Sequence, residues 1–231
     1  MALRATAQPP SRWPPSHSMR AQVAIASYIS RFASSPLASH GDIPPWVMVT
    51  RSAPIVRGML ASLPRQDFTV TDEIAVHRSA TVEVGAVLKG PLILGPGCFV
   101  AAGAYLRGGN WVEANCTFGP GAELKSSFVF SGTKLAHFNF VGDSVLGSGV
   151  NLEAGSIVCN YRNERASKEI HVRVGGELYD TGVEKFGALV GDGCRIGANA
   201  VVAPGALLLP GAIVRRTELF DQELSTERAD G

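Results

Sequence analysis

From Leu94 onward, an apolar residue falls at every sixth position: Leu94, Val100, Leu106, Val112, Phe118 and Leu124. The same step links Val76 and Val82, then Leu146, Leu152 and Val158, and later Val190, Ile196, Val202, Leu208 and Val214. All sixteen are apolar, in a chain where only 45% of residues are hydrophobic, so chance does not explain the register. A period of six matches neither a helix (about 3.6) nor an alternating strand (about 2). It matches one short strand plus one turn, repeated. Three such units close a triangular coil of a parallel β-helix, with the aliphatic of each unit stacked inside. The fold class expected is therefore all-β, a parallel β-helix over residues 74–216.

The fourth residue after each aliphatic is small or core-compatible in most units, as at Ala80, Ala86, Ala104, Ala122 and Ala200. Cys98, Cys116 and Cys194 share that position and read as small buried hydrophobes. With Cys159 they are the only cysteines; no CxxC pair exists, so a zinc ribbon or a thioredoxin-type site is not supported. All four read as reduced, in a cytoplasmic protein. The residue directly after the aliphatic is often glycine (Gly95, Gly119, Gly147, Gly191, Gly197) and is expected to supply the positive-φ backbone of a sharp corner. Charge excludes further classes. Lys and Arg number 21 against 20 Asp and Glu, a net charge of +1, which leaves no basic excess for a nucleic-acid backbone. No run of about 18 apolar residues points to a membrane span.

The N-terminal region differs in character. Residues 1–41 contain no Asp or Glu and carry Arg4, Arg12, Arg20 and Arg31 among many Ser, Ala and Pro. Such composition can mark a transit peptide. The plainer reading is a disordered or upstream extension over 1–18, which leaves both Met1 and Met19 as candidate starts. A helical cap and connection is expected over 19–73, with Ala21, Ile25, Ile29 and Phe32 at helical spacing, a short helix near Ala53–Leu63, and Trp46 packing the cap onto the main body. A C-terminal helix or tail is expected over 217–231, with Thr217 as its cap.

Two interruptions break the period, and solenoid insertions often carry function. One lies between Leu124 and Leu146, where the six-step slips and His137 falls off the pattern. Histidine is the side chain suited to proton transfer near neutral pH; an ordinary loop histidine is the competing reading. The other is an inserted arm over 160–189, with a small hairpin expected at Val172–Tyr179 around Gly175-Gly176.

The repeat resembles the hexapeptide-repeat, left-handed β-helix acyltransferases, and the handedness comes from that resemblance. The stretch KSSFVFSGTKLAHFNFVGDSVLGSGVNLEAGSIVCNY is similar to the acetyltransferase domain of the bifunctional glucosamine-1-phosphate acetyltransferase/N-acetylglucosamine-1-phosphate uridyltransferase family. The resemblance implies acetyl-CoA-dependent N-acetylation of an amino sugar phosphate or nucleotide sugar. His137 would be the general base and Glu123 its carboxylate partner. Arg107 and Lys125 would hold the sugar phosphate. Asn151, Asn160 and Tyr161 would contact the acceptor, and Ala154 and Ala198 would lie on the acetyl-CoA side. It also implies a homotrimer with sites between subunits, and no metal. The family's tyrosine three residues after the histidine is Phe140 here, the glycine before it is Ala136, and Lys168 is only a candidate for the family's substrate lysine. Residues before 74 lack the Gly-rich nucleotide loop of the uridyltransferase half. Two alternatives stand beside this reading. One is a non-catalytic module that binds sugar phosphates or nucleotide sugars. The weaker one is a carbonic anhydrase-like metal enzyme using His77, His137 and His171, which show no local ligand pattern.

Overall fold

The structure, a computed structural model, describes residues 11–12 and 23–224. The expectations placed on Met19, Ala21 and residues 225–231 lie outside that range.

Strand follows corner follows strand from Ile74 to Phe220, winding seven coils into a triangular prism of parallel sheets. The first face stacks Ile74–His77, Leu92–Leu94, Asn110–Val112, Phe128–Val129, Val145–Leu146, Ala188–Val190 and Ala206–Leu208. The second runs from Thr81–Val82 through Thr117–Phe118, Lys134–Leu135 and Asn151–Leu152 to Ile213–Val214. The third runs from Val87–Leu88 through Tyr105–Arg107, Glu123–Lys125 and Phe140–Gly142 to Leu219–Phe220. The hexad aliphatics fill the interior, where Val100, Leu106, Val112, Phe118, Leu124 and Leu152 are fully buried. Cys98, Cys116 and Cys194 lie in the same core, and all four cysteines are free thiols.

The corner glycines work differently from the sequence expectation. Positive φ falls on the third residue after the aliphatic, as at Gly97, Gly121, Gly149 and Gly193, and at Asn115, Phe138, Asn199 and Thr217. The glycine directly after the aliphatic allows close approach instead. A Cβ on Gly119 would lie 1.6 Å from the Ala136 carbonyl oxygen, and one on Gly197 2.5 Å from the Arg216 nitrogen. Only a residue without a side chain lets the next coil's backbone pass there.

The slip between Leu124 and Leu146 is not an inserted loop. Val129, Leu135 and Val141 are inward residues of a complete coil, whose corners at 124–129 and 141–146 are one residue short. Side-chain hydrogen bonds replace the missing residue. Asn110 Oδ1 accepts from the Ser127 N–H at 2.9 Å. Ser127 Oγ donates to the Lys125 carbonyl at 2.7 Å and accepts from the Ser144 N–H at 3.1 Å. Ser144 Oγ donates to the Gly142 carbonyl at 2.7 Å and accepts from the Ala188 N–H at 3.1 Å. These polar groups are buried and mutually paired, as interior polar groups must be.

The C-terminal helix expected after Thr217 is not formed in the described residues. Leu219–Phe220 is a strand that pairs in parallel with Val201–Val202. Phe220 is the next hexad position after Val214, so the period runs one unit further and stacking on the coil below wins over local helix propensity.

The first face is buried on both sides. Its outward residues Ala75, Ile93, Trp111, Phe128, Val145, Leu189 and Leu207 pack under the N-terminal segment and the arm. The segment contributes helices Ile25–Tyr28, Pro45–Thr50 and Ser52–Ala61. Trp46 is fully buried and meets the arm's Phe186 edge-on, with centroids 5.9 Å apart. The arm is the expected hairpin, His171–Val174 against Glu177–Asp180, and it folds back onto the chain's own last coils.

Candidate active site

His137 sits at the corner between the second and third faces, on the coil with two shortened corners. Its carbonyl accepts from the Gly155 N–H at 2.9 Å. Above it, the Ala154 carbonyl accepts from Asn199, and the Ala198 carbonyl accepts from Thr217. His137, Ala154 and Ala198 therefore stack in one corner column on successive coils. The imidazole is exposed and makes no side-chain hydrogen bond among the described residues. Behind it, Asn139 is buried and its Nδ2 donates to the Glu153 carbonyl at 2.7 Å and to Ser156 Oγ at 3.0 Å. That side chain pins the His137 corner to the next coil.

The charged residues line the third face. Strand pairing puts Tyr105, Glu123, Phe140 and Ile157 in one outward row, with Arg107, Lys125 and Gly142 in the next. Glu123 accepts from Arg107 Nε at 2.8 Å and lies 2.6 Å from its Nη2. The expected carboxylate partner of His137 is thus paired with the expected phosphate arginine. Lys125 Nζ donates to Asp143 Oδ2 at 2.6 Å, and Asn160 Nδ2 donates to the same oxygen. Asp143 joins two expected acceptor residues, yet sequence reasoning gave it no role. Its signal was the Gly-Asp of the quoted motif: Gly142 lies one shortened coil above Lys125, and Asp143 is the residue after it.

Two expected residues are placed differently. Lys168 Nζ lies 5.3 Å from the Tyr161 ring centroid and donates to the carbonyls of Arg162, Asn163 and Arg165. It clamps the start of the arm and has little left for a substrate. Asn151 faces out from the second face, in a groove of about 470 Å³ with Glu153, Arg195, Arg215 and Arg216. There Arg216 grips Glu153 at 2.8 and 2.9 Å, and the Ala198 N–H donates to Glu153 Oε2 at 2.9 Å. Both contacts, Arg216 foremost, hold the Glu153 carboxyl below its usual range.

The base of the arm is a buried charge network. Arg162 is 3% exposed and donates to Asp221 at 2.7 and 2.9 Å, to Glu223 at 3.2 Å and to the Pro204 carbonyl at 3.1 Å. Further along the arm, Glu169, His171 and Asp180 bring possible ligand atoms within 4.8 Å of one another. His77, His137 and His171 fall on the first coil, the His137 corner and the arm, three separate elements. No helix among the described residues is long and apolar enough to cross a membrane.

Stacked hexads, a three-faced parallel prism and a charged outer row together define a hexapeptide-repeat β-helix protein. At 31% identity over 153 residues the chain is similar to a bifunctional sugar-1-phosphate nucleotidylyltransferase/acetyltransferase of Sulfurisphaera tokodaii; the match covers 64% of this chain and 38% of that protein. It is 34% identical over 166 residues to the bifunctional protein GlmU of Pseudoalteromonas atlantica, covering 69% of this chain and 32% of that one. The chain spans 38% and 32% of the length of these two curated relatives. No family model matches. Among solved structures, the acetyltransferase domain of PglB from Neisseria gonorrhoeae FA1090 is 16% identical with a TM-score of 0.31, covering 72% of this chain and 64% of that one.

Proposed function

We propose that the protein is an acyltransferase that moves an acetyl group from acetyl-CoA to the amine of an amino sugar phosphate or nucleotide sugar. The observation that carries this reading is the third face itself: His137 at its leading corner, Arg107, Lys125 and Asn160 at its trailing edge, and Ala154 and Ala198 stacked above the histidine. A base, an anion-holding edge and a smooth corner track occupy one face. The name of the Sulfurisphaera tokodaii relative, which joins acetyl transfer to sugar-1-phosphate chemistry, supports it.

In this mechanism the sugar amine attacks the thioester carbonyl. A C–N bond forms and the C–S bond breaks. His137 takes the proton that the amine loses, and the departing thiolate is protonated to the free thiol of coenzyme A. A backbone N–H holds the oxyanion meanwhile. Arg107 and Lys125 hold the acceptor phosphate through charge-assisted hydrogen bonds. The working form is a homotrimer, with each site completed by a neighbouring copy.

The second reading, binding without turnover, is favoured by two observations. Glu123 accepts from Arg107 and, among the described residues, accepts no hydrogen bond from His137. Phe140 also lacks the hydroxyl of the family tyrosine. A thiol-release assay separates the two. Acetyl-CoA is supplied with a panel of amino sugars, their 1-phosphates and amino nucleotide sugars. Acceptor-dependent release that falls at least ~100-fold in His137→Ala, with the fold retained, supports acyl transfer. Near-unchanged turnover in that variant sinks the assigned base. Acceptor binding without release from any pair favours the binding module.

A further inference from the structure

Lys89 extends the anion-holding edge by one coil. Its N–H donates to the Leu106 carbonyl at 2.8 Å, which places it directly below Arg107, and Arg107 is the register partner of Lys125. Three cations, 18 residues apart each time, thus stand in one column at coil spacing, about 4.8 Å per step. Two of these cations are in ion pairs with carboxylates beside the column, Arg107 with Glu123 and Lys125 with Asp143. Lys89 is the third cation and has no carboxylate partner among the described residues, so the column carries one surplus positive charge. Its ammonium is held over the Tyr105 ring at 5.3 Å, and the Arg107 guanidinium lies 5.6 Å from the same ring. One aromatic ring therefore keeps both cations on the strip.

The donors are available. Arg107 spends Nε and Nη2 on Glu123 and keeps the Nη1 hydrogens, and Lys125 spends one of its three N–H groups on Asp143. The strip also has a direction. Above Lys125 the next residue of the edge is Gly142, and the carboxylate of the following residue, Asp143, sits against the Lys125 ammonium and repels an anion. Below Arg107 lies Lys89. The full strip from Lys125 to Lys89 is about 10 Å long, too long for one phosphate to touch both ends.

From this geometry we infer that the acceptor carries two adjacent phosphates, with one held between Arg107 and Lys125 and the other between Arg107 and Lys89. The acceptor class is then a nucleoside-diphosphate amino sugar, not an amino sugar 1-phosphate. This assignment rests on the reading of the same face as an amino-sugar phosphate site.

Calorimetric titration of the full chain with inorganic pyrophosphate and with inorganic phosphate tests it without any need for turnover. The wild type is expected to bind pyrophosphate at least about tenfold more tightly, the size of one charge-assisted hydrogen bond. In Lys89→Ala that ratio falls to near one, and in Lys89→Arg it is kept. Lys134→Ala, an exposed cation on the second face, also keeps it. Equal affinities in the wild type, or an unchanged ratio in Lys89→Ala, overturn the assignment. Thiol release then separates the two readings. A pyrophosphate preference that depends on Lys89, with no release from any acceptor, removes acyl transfer and leaves the diphosphate strip. Release with the 1-phosphate and no pyrophosphate preference does the reverse.

Discussion

Asp143 shows how a single side chain organises the charged edge. One carboxylate oxygen accepts from both Lys125 and Asn160, so the two residues proposed to meet the acceptor are held by a group that itself repels phosphate. Asp143→Ala frees both side chains and lets them swing away from the acceptor. The expected result is a KM for the acceptor raised about tenfold, the loss of one or two charge-assisted contacts. Steady-state kinetics against acceptor concentration checks it, and an unchanged KM removes Asp143 from that role. The residues that the quoted motif named are legible in the sequence; their partners are not. Glu123 and Arg107 are 16 residues apart, and Lys125 and Asp143 are 18. Separations like these become contacts only when coil length is known. The shortened corners change that length by one residue, and they left His137 looking like a loop residue.

The arm and the last strand form one element bound by charge. Burial alone raises the Asp221 carboxyl, but the Arg162 guanidinium and the Glu223 N–H more than offset it and hold the pKa below its usual value. A depressed folded pKa contributes stability that is present above the unfolded value, about 3.9, and is lost as pH falls through the folded one. The thermal midpoint is therefore expected to fall as the pH drops below about 4, and to fall less steeply in Asp221→Asn. That variant also starts less stable, by about 3 kcal/mol, because Arg162 stays buried with Glu223 as its remaining strong partner. Identical acid limbs in the two proteins would falsify this account. The hairpin itself was legible from Gly175-Gly176 between two β-prone runs. Its docking site was not, since Arg162 and Asp221 are 59 residues apart. The final strand was legible in the period at Phe220 and hidden by the polar residues around it.

At the scale of the molecule, the three faces have separate tasks. Outward residues of the first face are apolar on all seven coils and lie under the cap and arm; read in the sequence at one position before each first-face aliphatic, they already mark the covered side. The third face leaves Phe140, Ile157, Val201 and Leu219 outward and only partly covered or exposed, an apolar strip suited to a second copy of the chain. Sedimentation is expected to report a trimer, and Ile157→Asp to yield a smaller species; a wild-type monomer at micromolar concentration contradicts the assembly. The cover has one more effect. A bare solenoid is a chain of neighbour-to-neighbour contacts, and its end coils can peel off one by one. Here helix Ser52–Ala61 contacts the second and third coils, Ile25–Tyr28 the sixth, and the arm the seventh, while Trp46, Phe186, Phe32 and Phe130 interlock between them. The stack is laced along its spine like the pages of a bound book, so no coil can leave without loosening the binding, and the prism stands or falls as one cooperative unit.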